Sequence, residues 1–258
     1  MRPPTLRDWL ARAPFGLALS SGFFGFFAHA GMLLALEEAG LAPARVSGSS
    51  AGALVGALWS AGLSARRIAN ALVRLRRRDF WDPAPGLGLL RGRRFATHLA
   101  SLLPIETFEQ CRVPVAISTY DVLGRRTHVM SAGPIIPAIR ASCAVPLLFH
   151  PVWLAGRPHL DGGIADRPGL FGQPLGRILF HHLANEVPRR RGPAPLPDLS
   201  IYTELTALVI DDLPWPGPFA LEQGPRALDA AAEATRRALE LPLVAPTLKL
   251  SASRCAPG

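Results

Sequence analysis

The sequence predicts an α/β fold, and three observations lead there. Short runs of strand formers alternate with longer segments of helical apolar spacing. Clusters of Gly, Pro and Ser separate those segments. The chain has 258 residues, 49% apolar and 18% charged, which excludes whole-chain disorder. A chain this long removes roughly 75% of its unfolded surface from water, so it needs neither disulfides nor a structural metal to hold a core. We expect one domain over 1–258, with its core at about 15–242.

The first element comes from a stretch that invites misreading. Residues 13–36 contain no Asp, Glu, Lys or Arg, long enough for a membrane-spanning helix, and the preceding arginines with Ala28-His29-Ala30 imitate a secretory leader. A soluble parse competes with both: Gly16-Leu17-Ala18-Leu19 as a strand, Ser20-Ser21-Gly22 as a turn, and 28–39 as a helix ending at Gly40. A second strand at 44–49 feeds a small-residue helix over 50–63. Ser64 is the expected N-cap of a third, basic amphipathic helix with Ile68, Leu72 and Leu75 on its apolar side.

Further on, 113–119 and 126–130 read as a hairpin across Asp121-Val122-Leu123-Gly124. A short helix is expected at 134–142, a strand pair at 152–154 and 159–160, and a buried strand at 177–180. The segment 188–197, with Arg189-Arg190-Arg191, reads as a proline-rich surface loop. The last strand is expected at 206–210 and the last helix at 225–241.

Charge and cysteine usage bound the function weakly. Lys plus Arg total 28 against 19 Asp plus Glu, a net +9, and Lys249 is the lone lysine. An anionic membrane surface fits that field, but so does a coding bias towards arginine. Nucleic acid is not expected, because the arginines are scattered and no aromatic-basic module appears. Cys111, Cys143 and Cys255 form no metal spacing and suggest a reduced, cytoplasmic protein, with membrane association, such as peripheral contact with an anionic surface, left open. His181-His182 would face opposite sides of a strand, so neither metal nor cofactor is expected.

Chemistry concentrates at three places. Gly48-Ser49-Ser50-Ala51-Gly52 matches G-x-S-x-G where a strand turns into a helix, the context that pattern requires. Ser50 would then be a nucleophile on a strained elbow, with Gly48 and Gly52 letting strand and helix approach; the bland alternative is a helix N-cap serine. A serine hydroxyl needs a base. Asp161, heading Asp161-Gly162-Gly163 after a strand end, is the candidate, against the commoner role of a turn Asp bonding its own backbone. Ser21-Gly22-Phe23-Phe24-Gly25 could present successive N–H groups to an anion, or could be an ordinary glycine-rich connection.

With these blocks in place the sequence resembles the patatin-like phospholipase family from about residue 17 to residue 241. Residues 19–25 stand where that family has its glycine-rich oxyanion block, 48–52 match its serine elbow, and 161–163 its aspartate block. Residues 138–149 resemble the segment leading to that aspartate. The resemblance implies a three-layer sandwich with a central, mostly parallel sheet and helices on both faces. It also implies a Ser50-Asp161 dyad without histidine, an oxyanion hole from the backbone of Gly22, Phe23, Phe24 and Gly25, and a lipid or acyl-ester substrate cleaved through an acyl-enzyme. One departure stands out: the family's block is close to G-G-G-x-R-G, and here no arginine lies between Ser20 and Gly31. Phe23, Phe24, Phe26 and Phe27 instead favour an apolar acyl or membrane contact.

Three alternatives remain open on sequence grounds. His181 or His182 could be the base, oriented by Asp161. The fold could serve as a non-catalytic lipid- or membrane-binding module. An acyltransferase would use the same acyl-enzyme with another acceptor.

Overall fold

The charge-free stretch resolves into strand, loop and helix, as the third parse expects. In the computed structural model, which describes residues 3–174, 176–184 and 196–252, the chain runs from helix α1 (Leu6–Ala11) into strand β1 (Gly16–Leu19) and helix α2 (Phe26–Glu38). Strand β2 (Arg45–Ser49) leads to helices α3 (Ala51–Ser60) and α4 (Ala65–Val73). Ser64 caps α4 as its sequence position suggests, accepting the Arg67 N–H at 3.3 Å.

Strand β3 (Gly88–Leu90) and helix α5 (Arg93–Leu102) precede the hairpin of β4 (Val115–Asp121) and β5 (Arg126–Met130). Helix α6 (Ile135–Ser142) follows, then β6 (Leu147–Phe149), β7 (Val152–Leu154), β8 (Arg157–Asp161) and β9 (Ile178–His182). Strand β10 (Leu205–Asp211), helix α7 (Gly224–Leu239) and strand β11 (Thr247–Ser251) end the described chain. The strand at 206–210 is therefore not the last. β11 pairs with it in parallel after the α7 crossover. The proline-rich loop expected at 188–197 lies, up to residue 195, outside the described residues, as does Cys255.

One nine-stranded sheet carries the fold, in the order β11-β10-β9-β1-β2-β4-β8-β7, with β5 also on β4. The six strands from β11 to β4 are mutually parallel. β4–β5, β4–β8 and β7–β8 are antiparallel. β3 and β6 form a separate two-stranded parallel sheet.

Strand alternation sorts the core. Leu17, Leu19, Val46, Val115 and Ile117 share the large apolar cluster to which all seven helices contribute. Ala18, Ile178 and Phe180 face the other way, onto Leu170, Leu199 and Tyr202. Among the described residues, that second face is covered by a 3-10 turn at Gly162–Ile164, by residues 165–173 and by residues 199–202. Burial on both faces explains why β1 reads as an unbroken apolar run and why β9 and β10 are mostly apolar without alternation.

The register also brings the site together. On the flank of β4 opposite β5, Ser118 pairs with Ser49 at the end of β2, and the next residue, Thr119, pairs with Asp161 at the end of β8. β8 therefore enters, antiparallel, the place that β2 vacates when it turns into α3. Two residues far apart in sequence are made neighbours by consecutive positions on one strand.

Candidate active site

Ser50 stands between β2 and α3 with φ 52° and ψ −115°, a conformation that L-residues rarely adopt. The elbow is forced by crowding. A Cβ on Gly48 would strike the backbone of Gly52 and Ala53, and one on Gly52 would strike the Leu19 carbonyl oxygen. Small residues at these positions let α3 start directly above the sheet. Ser50 occupies the N-cap position of α3, but its side chain makes no capping bond there.

Its hydroxyl points elsewhere. Ser50 Oγ donates to Asp161 Oδ2 at 2.7 Å, and Asp161 Oδ1 accepts the Gly163 N–H at 2.8 Å. The aspartate thus makes the local turn bond and the long-range one together. Asp161 is 7% exposed and Ser50 8%. Burial pushes the Asp161 carboxyl up to about 6, against the opposing hydrogen bonds from Ser50 and Gly163. Gly162 and Gly163 have roles of their own: a side chain at Gly162 would meet the Ser118 carbonyl, and one at Gly163 would meet Ser21.

A polar relay that the sequence did not reveal holds the backbone of Ser50. The Ser50 N–H donates to Ser142 Oγ at 2.8 Å, and Ser142 donates to the Ser118 carbonyl at 2.7 Å. Ser118 Oγ in turn donates to Asp166 at 2.5 Å. Asp166 also accepts the N–H groups of Gly169 and Leu170. It is a buried carboxylate serving the backbone of its own turn, raised in pKa by burial. The only sequence signal for Ser142 was its place within the 138–149 block.

The glycine-rich loop is held from both sides. The Ser20 N–H donates to the His181 carbonyl, Ser20 Oγ accepts the Leu183 N–H at 2.9 Å, and the Ser21 N–H donates to the Arg167 carbonyl. His29 Nε2 lies 2.8 Å from the Ser20 carbonyl, which can only accept, so that nitrogen is assigned the proton. His29 Nδ1 then accepts from His181 Nδ1 at 2.9 Å. Burial lowers His29 to about 4 and holds His181 well below its ordinary value, so both rings are neutral at pH 7. His181 is thus a support of the loop, and both oxygens of Asp161 are engaged by Ser50 and Gly163. No Asp161–His181 contact orients a histidine base.

Within the loop the Gly25 N–H donates to the Gly22 carbonyl at 2.8 Å. Gly25 therefore does not offer its amide to a ligand, which corrects the four-donor expectation. Its role is steric, since a side chain there would collide with Leu183. Phe24 takes φ 57° and turns its ring against Phe23, Phe26 and Phe80. Phe27 departs from its expected acyl or membrane contact: it is 1% exposed and packs in the core against Gly224.

Two cavities meet at Ser50. One, of about 860 Å³ including its open mouth, runs between α3, α4 and α5 and is lined by Phe24, Leu58, Leu72, Phe80, Leu99 and Phe149 among others. The other is an open cleft bounded by Ser21, Asp161, Leu147, Arg167 and Trp215. Gly22, Phe23, Ser50, Val145 and Leu148 border both. Arg167 is a cation at the cleft that sequence reading did not single out. Among the described residues no group of His, Cys, Asp and Glu could hold a metal ion.

A parallel α/β sheet with a serine elbow at the end of a central strand, an aspartate at the adjoining strand end and a glycine-rich loop beside both defines a class of protein, the patatin-type α/β fold. The chain belongs to the patatin-like phospholipase family, whose model matches residues 17–170. It is 33% identical over 162 residues to an uncharacterised NTE family protein of Mycobacterium tuberculosis, covering 58% of this chain and 42% of that one. It is 28% identical over 180 residues to the neuropathy target esterase sws of Drosophila grimshawi, covering 64% of this chain and 12% of the fly protein. The match thus spans less than half the length of these relatives. Among solved structures, VipD from Legionella pneumophila shares the fold at a TM-score of 0.53 and 17% identity, over 88% of this chain and 67% of that one.

Proposed function

We propose that the protein is a serine acyl hydrolase that cleaves carboxylic ester bonds of lipids through a Ser50-Asp161 dyad. The observation that carries this reading is the 2.7 Å bond from Ser50 Oγ to a buried carboxylate at the junction of an apolar cavity and an open cleft.

The chemistry follows from the positions. Asp161 accepts the hydroxyl proton as Ser50 Oγ attacks the ester carbonyl. The oxyanion develops beside the Gly22 and Phe23 amides and the positive end of α3. Collapse expels the alcohol, which takes the proton back from Asp161, and leaves an acyl-Ser50 ester whose chain lies in the apolar cavity. Water, deprotonated by the same carboxylate, hydrolyses that ester and releases fatty acid. A carboxyl held near 6 by burial is a better base than an ordinary aspartate, yet ionised at neutral pH.

A Ser50→Ala variant tests the assignment. It is expected to lose hydrolysis of p-nitrophenyl esters and of phospholipid by at least about a thousandfold and to lose fluorophosphonate labelling, with an unchanged thermal midpoint. Retained labelling at another serine with retained turnover would overturn it.

A further inference from the structure

We propose that the arginines flanking the mouth of the apolar cavity form a docking surface for anionic phospholipid membranes, so that the cavity opens onto the bilayer that holds its substrate. This rests on the acyl-hydrolase reading for the purpose of the surface, although the surface itself can be tested apart from catalysis.

Arg76, Arg77, Arg78 and Arg94 line, with Trp81, a shallow depression beside the acyl cavity. Trp81 also lines that cavity, so the two share a wall. The charge here is concentrated. Between residues 74 and 94 the chain carries seven arginines and two aspartates, a net +5 of the whole chain's +9.

The two acids offset little of it. Asp82 spends its carboxylate on the N–H groups of Gly92, Arg93 and Arg94 at the start of α5. Asp79 accepts the Arg76 N–H and reaches Arg78 only at 4.0 Å. Arg94 donates to the Arg78 carbonyl, and Arg76 makes long contacts of 3.4 Å to the Val73 and Leu75 carbonyls. The Arg76 and Arg94 guanidiniums thus face solvent with backbone partners in place of carboxylates.

Apolar groups complete the surface. Arg77 lies over both the Trp81 and Phe219 rings, at 5.6 and 5.3 Å, and Phe219 is 73% exposed. Leu87 and Leu89 on the β3 segment and Leu147 on β6 are also exposed, and the β3–β6 pairing sets Leu147 opposite Gly88. Leu147 borders the cleft that contains Asp161. Exposed leucine and phenylalanine edged by arginine, around an apolar mouth, is the arrangement that sits at a lipid headgroup boundary. Charge complementarity selects an anionic leaflet, and each arginine near such a surface contributes on the order of a fivefold gain in partitioning.

The test is sedimentation of the protein with vesicles of phosphatidylcholine alone and of phosphatidylcholine with 30 mol% phosphatidylglycerol, a composition chosen for the assay. Wild type should partition at least about tenfold more strongly onto the anionic vesicles, with the preference lost at about 0.5 M salt. Combined Arg76→Gln, Arg77→Gln and Arg78→Gln should reduce anionic binding on the order of a hundredfold, while hydrolysis of a monomeric short-chain ester and the thermal midpoint stay unchanged. The corresponding triple lysine variant should keep most of the binding, which separates charge from misfolding.

Ser50→Ala should bind vesicles as wild type does. Equal binding to both vesicle types, or anionic binding undiminished in the glutamine triple, overturns the docking surface. Arginine-dependent binding by a protein that turns over no ester would instead leave the surface standing and remove the acyl-hydrolase reading.

Discussion

Asp161 has to carry a negative charge where little water reaches it, and its chemistry and its cost share that cause. With its carboxyl held at about 6, kcat/KM is expected to fall about tenfold per pH unit below that value and to level above it, as a pH–rate profile on a soluble ester would show. Asp161→Asn keeps a hydrogen-bonding partner for Ser50 but removes the proposed base, so kcat should drop about 10²- to 10⁴-fold.

The same group affects stability in a definite direction. Its folded pKa lies above the ordinary value of 3.8, so the folded chain holds the proton more tightly and this contribution is lost as pH rises from about 4 to about 6. Above 6 the ionised carboxylate is a burden. Urea denaturation at pH 7.5 should find Asp161→Asn more stable by about 1–3 kcal/mol, the trade expected of a residue kept for function.

At the scale of elements, the elbow and the relay from Ser142 are where packing sets the geometry. Gly52→Ala forces a methyl into the Leu19 carbonyl at the β1–α3 contact, and should cost about 3 kcal/mol or prevent folding, read from the urea midpoint of the soluble fraction. Ser142→Ala removes the bridge between the Ser50 N–H and the Ser118 carbonyl. We expect a loss of about 1–3 kcal/mol and a lower kcat at similar KM, since the elbow shifts while the apolar cavity remains.

Elements flanked by Gly, Pro and Ser were read closely from the sequence, among them β1, β2, the β4–β5 hairpin and α6. Those that escaped had weak local signals. β3 and β6 are three residues each and exist through mutual pairing, and α5 is a short arginine-rich helix with Leu99 as its one buried apolar side chain. β11 follows a crossover that the chain pattern did not announce.

For the molecule as a whole, the buried pair His29 and His181 ties acid stability to the shape of the active site. Burial lowers His29 to about 4 from an ordinary 6.5. Its contribution is full above 6.5 and is lost as pH falls towards 4, because the unfolded chain takes up the proton that the folded one refuses. His29→Gln should flatten the fall of the urea midpoint between pH 7.5 and 4.5. It should also reduce kcat, since the Ser20 carbonyl loses its donor and the glycine-rich loop its anchor.

Much of the site was legible because its chemistry is local: an elbow needs glycines at fixed offsets, and Asp161-Gly162-Gly163 marks a carboxylate at a tight strand end. The sequence could name Ser50 and Asp161 but not whether their side chains meet. That depended on where two strand ends fall along β4, a matter of register between segments 111 residues apart. The spent Gly25 amide, the Ser142 relay and the buried histidine pair were likewise settled in space. Hydrogen-bond partners are chosen by three-dimensional proximity, whereas backbone conformation and apolar periodicity are written residue by residue.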